Sequence, residues 1–471
     1  MRARLLGLAT AGLGACAPAS RYQPPPQPVP IAWRDTVAAR EASGADLPWW
    51  TIYRDTALQR LVRTALAQNT NLRVALERVA EARDLLRAAR GAQLPAIFAS
   101  AQADRSWYRD DPSTASYRVE ATASWEADLF GLRRSYAGVA RAQLQAQEDS
   151  GRAVRLSIVA EVASAYVNLQ EADQQLEITR SAMQARQRYL DAAQRRFESN
   201  PSAELDYRQA QALLETVRAE AIDLRQGAAA AENALSVLLG RSPGAIARSG
   251  ATGEELLAVV PAGLPSTLVQ RRPDVRAAER ELAAAGASVG AVRANLFPHL
   301  QFYASIMYDR YSYLGYSGIG FTTTAWSEYT TKAIGASLTQ PIFVGGQYVA
   351  QLGAAQARRR EALAAYESVV LRALQEAEDA LESTRFARER RVSLDSQVVY
   401  TAAVLRAAEA RYGDGTSPFL EVRDAHERFL SAQLGAASAR AGQALAVIAL
   451  YKAVGGGWQA EPTAADRPDG R

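Results

Sequence analysis

Cysteine is almost absent from this chain, with Cys16 the only one in 471 residues. No disulfide can form within a single copy. Histidine is nearly as scarce: His299 and His426 are the only two. A His/Cys metal site therefore lacks ligands, and a Cys–His nucleophilic pair has no candidate. Lysine occurs only at Lys332 and Lys452; arginine carries the rest of the basic charge, interspersed with Glu and Asp. At a net charge of +4, with no basic run, the chain does not read as a nucleic-acid binder. Past the N-terminus there is no stretch of about 18 apolar residues, the length a membrane-spanning helix needs. There is no phosphate-binding loop and no nucleophile–base pair. Gly345-Gly346 and Gly455-Gly456-Gly457 fall at element ends and read as breakers. These shortages point to a non-enzyme without a bound cofactor.

What is present is ample apolar material, 48% hydrophobic against 22% charged residues, enough for an ordered core. Arg2 and Arg4 precede the short apolar run Leu5 to Leu13, and the small residues Gly14-Ala15 follow. This order is that of a secretory signal, too short to span a membrane. Cys16 stands at the cleavage position, in Leu13-Gly14-Ala15-Cys16. The arrangement resembles the bacterial lipobox, whose cysteine becomes the lipidated first residue of the mature chain. Ala17, not Asp, comes next, which in such lipoproteins is compatible with outer-membrane sorting. Pro24, Pro25, Pro26, Pro28 and Pro30 then favour an extended spacer.

The body is one unit written twice. Leu205-Asp206-Tyr207-Arg208-Gln209-Ala210-Gln211 matches Leu420-Glu421-Val422-Arg423-Asp424-Ala425-His426 at an offset of 215. Upstream, Asn71-Leu72-Arg73-Val74-Ala75 matches Asp274-Val275-Arg276-Ala277-Ala278 at an offset of 203. A longer loop near 309–330 in the second copy is expected to absorb the difference. Each copy reads as helix, strand pair, very long helix, tight break, helix. In the first long helix Ile158, Val162, Ala165, Leu169, Ala172 and Leu176, then Arg186, Leu190, Ala193 and Phe197, recur at alternating intervals of four and three. That seam predicts coiled-coil packing. A helix over 135–197 would be on the order of 95 Å long at 1.5 Å per residue.

Between Pro95 and Gly131 the period changes to two. Tyr117, Val119, Ala121, Ala123, Trp125, Ala127 and Leu129 alternate with Arg118, Glu120, Thr122, Ser124, Glu126 and Asp128. Copy two sets Leu300, Phe302, Ala304 and Ile306 against Gln301, Tyr303 and Ser305, and Ile334, Ala336 and Leu338 against Gly335, Ser337 and Thr339. Strands of about 10 residues or more suit a tilted bilayer crossing; a soluble sheet with one wet face would alternate in the same way. Secretion and an anchor in the outer membrane favour the bilayer. Four strands cannot enclose a lumen, and an open edge in hydrocarbon leaves backbone groups unsatisfied. Several copies must then share one barrel.

Several motifs together carry a family resemblance. They are Trp49-Trp50; Ser124-Trp125-Glu126-Ala127-Asp128-Leu129-Phe130-Gly131; Arg271-Arg272-Pro273-Asp274-Val275; Phe297-Pro298; and Gln340-Pro341-Ile342-Phe343-Val344-Gly345-Gly346. From about Leu47 to Trp458 the chain resembles the TolC-type outer-membrane efflux family, in its OprM-like lipoprotein branch. The resemblance implies a mostly α fold of long antiparallel coiled-coil helices with four β-strands per chain. It implies a homotrimer closing a 12-stranded β-barrel in the outer membrane above an α-helical periplasmic tunnel. It implies as partners a periplasmic adaptor (membrane fusion protein) and an inner-membrane pump of the resistance-nodulation-division type. It also implies a gate where the long helices turn back, at Glu198–Ala203 and Gly413–Pro418, with Glu421 and Asp424 narrowing the pore and Leu420 as an apolar ring. Arg423 would pair across a helix interface, and Gly415 would meet the adaptor. The first tip, Ser199-Asn200-Pro201, departs from the family's glycine-containing turn; Asn can take the left-handed conformation there. His426 reads as structural.

The expected organisation is a signal peptide at 1–15, then a lipidated N-terminus and proline-rich linker at 16–46. A first repeat at 47–260 holds a helix, a strand pair at 97–129, a long helix at 135–197 and a helix at 204–240. A second repeat at 261–458 holds a helix at 273–294, a strand pair at 300–343, a long helix at 347–412 and a helix at 418–454, and a disordered tail follows at 459–471. The expected role is passive conduction of drugs or other small molecules out of the cell, with only a covalent lipid on Cys16 and no cofactor. An exit duct for type I protein secretion and a non-conducting coiled-coil lipoprotein are the alternatives.

Overall fold

A computed structural model describes Trp33, Trp50 and residues 55–108, 111–248, 271–316 and 322–456. Cys16, the expected signal peptide, the expected linker apart from Trp33, and the expected tail lie outside the described residues. In order, the elements are α1 (Thr56–Gln68), α2 (Thr70–Gly91), β1 (Ala96–Tyr108), β2 (Asp111–Ala127), α3 (Leu132–Ser199), a 3₁₀ turn (Pro201–Ala203) and α4 (Glu204–Leu238). The second copy gives α5 (Pro273–Ala294), β3 (His299–Tyr316), β4 (Thr322–Thr339), α6 (Gln347–Gly413) and α7 (Phe419–Ala453). Chain contacts divide these into two units, each described by itself. Among the described residues, one comprises Arg78–Glu148 with Ala277–Glu367; the other comprises Gln27–Glu77, Asp149–Arg276 and Ser368–Arg471.

The first unit carries the sheet, ordered β1-β2-β3-β4 and antiparallel throughout. Its register keeps the alternation intact. Val119 stands beside Ala101 and Tyr308, and Ala123 beside Ile97 and Ala304. Residues 309–316 and 322–330 are strand, where a loop was expected. Asp309 pairs with Tyr329 and the ladder runs on to Tyr316 with Thr322. The tyrosines and threonines that suggested a loop are strand formers on a pleated surface. β2 stops pairing with β3 at Ser116 and Tyr311, so the last five residues of β3 meet only β4, about 17 Å of hairpin at 3.4 Å per residue. Where the β2 ladder ends, the Ala115 amide donates to Ser312 Oγ at 2.6 Å. β4 ends at Thr339, not 343, because Pro341 has no N–H for the ladder.

The second unit is helical. Its main core gathers Leu58, Val62, Val162, Tyr166 and Leu169 with Leu235, Val447 and Ile448, all but closed to solvent. Asp55 opens α1 by accepting from the Ala57 and Leu58 amides at 2.8 and 3.1 Å, and its other oxygen takes the Tyr166 hydroxyl at 2.9 Å. The single leading helix expected in copy one is two, broken at Asn69, whose ψ of 127° is extended. α7 is long and apolar enough to span a membrane, with a mean hydropathy of 1.2. Its most apolar stretch is, however, 61% buried within the chain. Ala436, Ala439 and Ala444 let neighbouring helices pack against it.

The repeat reappears as matching hydrogen bonds at matching offsets. Asn69 Nδ2 donates to the Leu238 carbonyl at 2.7 Å, and Arg272 Nη1, 203 residues on, donates to the Ala453 carbonyl at 3.1 Å. Trp125 Nε1 donates to the Gln93 carbonyl at 3.0 Å; Gln340 Nε2 donates to the Leu296 carbonyl at 3.1 Å. Arg272 also holds Asp274 and Glu376 at 2.6 Å each. Burial would raise the Asp274 carboxyl pKa, but the Arg272 contact outweighs it and holds the group below its usual range. These bonds satisfy carbonyls at helix C-termini, where intrahelical partners run out.

Three helices end in a glycine of positive φ: Gly240 (68°), Gly415 (71°) and Gly455 (69°). Each makes the paired bonds of a Schellman stop, as in Thr416 N–H to Arg411 at 2.9 Å and Gly415 N–H to Tyr412 at 3.1 Å. Their surroundings differ. A Cβ on Gly240 would lie 2.2 Å from the Gln68 carbonyl oxygen, whereas one on Gly415 meets nothing within 4 Å. Gly415→Ala should therefore cost only the left-handed penalty, about 1–2 kcal/mol. Gly240→Ala should cost more, because backbone must move. Thermal unfolding followed by circular dichroism should rank the two in that order, and equal losses would refute the packing account.

Candidate channel wall and closing tip

On the polar face of the sheet, charges pair across strands. Arg118 on β2 reaches Asp309 on β3 at 2.8 Å, and Asp309 is 3% exposed. The Tyr329 hydroxyl of β4 adds a longer contact to Asp309 at 3.4 Å. Near the helix end of the sheet, Glu126 accepts from Arg133 at 2.7 Å and contacts His299 Nδ1 at 2.9 Å, while Asp128 holds the start of α3 through the Arg134 amide at 2.8 Å. The opposite face is apolar and open: Ile97 is 77% exposed and Ile334 89%. A sheet wet on one side and greasy on the other suits a wall between water and hydrocarbon.

The two helix turns of the other unit pack together. Ala193, Ala210, Leu405, Ala408, Phe419, Val422 and Ala425 form a buried cluster flanked by Tyr189, Tyr207 and Tyr412. Phe197 stacks on Tyr207 at 5.4 Å, and the Arg196 guanidinium lies 4.7 Å from the Tyr412 ring centre. Asn200 at the first turn is extended (φ −146°), not left-handed. Its side chain instead accepts from the Ser202 amide at 3.1 Å and caps the 3₁₀ turn, so Pro201 can start that turn without wasting a donor. Leu420, Glu421 and Asp424 lie in the first turns of α7, and Leu420 is 46% exposed. Arg423 does not bridge helices; it lies against its own neighbour Asp424 at 2.9 Å. Arg411, at the end of α6, makes the cross-helix pair, reaching Glu421 at 3.3 Å. Gly415 holds the second turn through its positive φ.

The outer membrane efflux protein profile matches residues 61–241 and 264–456. The chain belongs to the outer membrane efflux protein family. It is 34% identical over 457 residues to the outer membrane protein OprJ of Pseudomonas aeruginosa, covering 95% of this chain and 94% of OprJ. It is 30% identical to the solvent efflux pump outer membrane protein SrpC of Pseudomonas putida, covering 95% and 96%. Among solved structures, the open-state MtrE outer membrane channel of Neisseria gonorrhoeae superposes with a TM-score of 0.80 at 30% identity, covering 95% of this chain and all of MtrE.

Within this efflux-family chain, sequence reasoning missed the polar cluster above the second turn. Arg186 occupies a seam position between apolar residues and is 2% exposed. It donates to the Leu213 carbonyl at 3.2 Å and to Glu427 at 3.2 Å. Burial draws its pKa down, while Glu427 and Glu220 push it back up. Glu220, in the same cluster, is raised by burial. An Arg where the heptad demands an apolar residue was the available signal, since a single polar seam residue sets helix register. Glu220 and Glu427 line a cleft of about 460 Å³ with Gln175, Arg390 and Ser431. Nearby, the Tyr189 hydroxyl donates to Glu409 at 2.5 Å, and His426 Nε2 lies 3.4 Å from the same carboxylate.

Two outcomes follow from the tip. Replacing Arg411 with Ala frees Glu421, and replacing Arg423 frees nothing on another helix. In planar bilayers Arg411→Ala should raise the resting conductance several-fold more than Arg423→Ala; the reverse order would reject the assignment. His426 is depressed below its ordinary 6.5, mainly by burial, with Glu409 opposing and Arg186 adding to the shift. The unfolded chain then binds more protons than the folded one just below pH 6.5, so stability falls as pH drops through that window. Melting temperatures at pH 7.5 and 5.5 should differ more for the native chain than for His426→Gln.

Proposed function

We propose that this chain is the outer-membrane exit channel of a tripartite efflux pump, conducting drugs or other small molecules passively. The observation that carries this is a four-stranded amphipathic sheet whose outer strands, β1 and β4, have no partner on their far sides among the described residues. In hydrocarbon each unpaired N–H and C=O costs several kcal/mol, so the edges must meet other edges. Three copies give twelve strands and one closed barrel, β4 of each joining β1 of the next. α3, α4, α6 and α7 then line a tunnel on the periplasmic side. The chain's similarity to OprJ and SrpC along almost its whole length supports the efflux role, and SrpC's name places that relative in a solvent efflux pump.

The partners are a periplasmic adaptor and an inner-membrane pump of the resistance-nodulation-division type. The adaptor meets the second turn at Gly415, and a lipid on Cys16 anchors the mature N-terminus in the outer membrane. Leu420, Glu421 and Asp424, three copies of each around the axis, form the periplasmic gate. Like charges in such rings repel, and Arg411 offsets Glu421. The pump supplies energy and selects cargo. A wall of short-range ion pairs such as Arg118–Asp309 offers cargo little affinity.

The purified oligomer should have the mass of three chains and conduct in a planar bilayer. A non-conducting monomer would eliminate the channel, and a conducting oligomer of another size would eliminate the twelve-stranded wall.

A further inference from the structure

One of the chain's two lysines sits where a charge is costly. Lys332 lies on β4 opposite Ile306, with Ile334, Ala336 and Leu338 following on the same face. That face is the apolar one. Lys332 is exposed and has no hydrogen-bond or ion-pair partner among the described residues. Two rows nearer the hairpin tip, Arg310 on β3 stands opposite Glu328 and lies over the Trp326 ring at 5.0 Å. The Glu328 carboxylate is engaged by the Tyr308 hydroxyl at 2.7 Å. On β1 the same face ends in Arg105, which donates to Ser113 Oγ at 3.1 Å and lies 5.7 Å from the Trp107 ring centre.

We propose that Lys332 and Arg310, with Arg105 of the neighbouring copy, form a binding site for an anionic, phosphate-rich lipid headgroup at the outer rim of the barrel. The site rests on the reading that the sheet is a membrane wall with β4 joined to β1 of the next copy. Four residues separate Lys332 from Glu328, about 14 Å along a strand, or on the order of 10 Å of depth at a 45° tilt. A lysine at that depth extends its stem along apolar surface and lifts its ammonium to the interface. No described carboxylate reaches it. Among the described side chains, Glu328 is the only carboxylate on this face near the rim. The β1 edge that would lie beside Lys332 offers Ile97, Ala99, Ala101, Ala103 and Arg105, none of them acidic. All four helix-linked strand ends leave the sheet at its opposite end, so the rim faces the leaflet away from the helices. Trp326, Trp107, Tyr308 and Tyr117 surround the cations, as aromatic side chains do at headgroup level.

The test uses native mass spectrometry of the detergent-purified oligomer with added lipid A carrying two phosphates. Dephosphorylated lipid A and phosphatidylcholine are comparators, and millimolar inorganic phosphate is a competitor. The phosphorylated lipid should be retained at least tenfold better than either comparator and should not be displaced by free phosphate. The Lys332→Gln/Arg310→Gln double variant should lose that preference while keeping its oligomer mass and its insertion into liposomes. Equal retention of all three lipids, displacement by inorganic phosphate, or an undiminished preference in the double variant would overturn the proposal. Failure of the native protein to insert into liposomes would instead overturn the membrane-wall reading, separately from the headgroup site.

Discussion

The free backbone edges of a four-stranded sheet govern the rest of this molecule. β1 and β4 each leave one row of N–H and C=O groups without a strand partner among the described residues. In water such edges would invite aggregation, and the usual defences are short strands, inward charges or covering elements. Here β4 is 18 residues long, with Ile334 and Leu338 open on its apolar face. An edge of that length is sensible only if another edge always meets it. On the proposed reading oligomerisation becomes part of folding, and the strand count of one copy sets the symmetry.

Duplication supplies the rest. Each half contributes one hairpin and one pair of antiparallel helices, and each is held internally by equivalent bonds made with different residues. Asn69 in one copy and Arg272 in the other secure the same helix end; Trp125 and Gln340 do likewise beneath the sheet. The geometry of an unsatisfied carbonyl has been kept while the donor has changed, since any well-placed N–H serves. The halves have diverged most in the longer second hairpin and at the turns, where one closes on an Asn-capped 3₁₀ turn and the other on a glycine stop.

The helical seams show how specificity is written into a repetitive surface. Alanine-rich heptads allow close approach but many registers. Arg186, buried in the seam, is bound to Leu213 and Glu427, contacts that another register would break. Its desolvation is only partly offset by the carboxylates around it, so the ion pair adds little to stability.

Much of this was legible in the sequence because it rests on period. Alternation of two located the strands to within a few residues, the heptad located the long helices, and the offsets of 203 and 215 exposed the duplication. The family resemblance rested on motifs whose bonds the structure explains: Arg272 in one, Trp125 and Gln340 in two others. What the sequence hid depends on distances between segments far apart in the chain. The tyrosines of 309–330 read as loop because only a facing strand, Thr322–Thr339, makes them a hairpin. Arg411, not Arg423, bridges the second turn because the Schellman stop at Gly415 brings the end of α6 against the start of α7. Local spacing fixes which face a side chain occupies; which partner stands opposite is decided only when the elements pack.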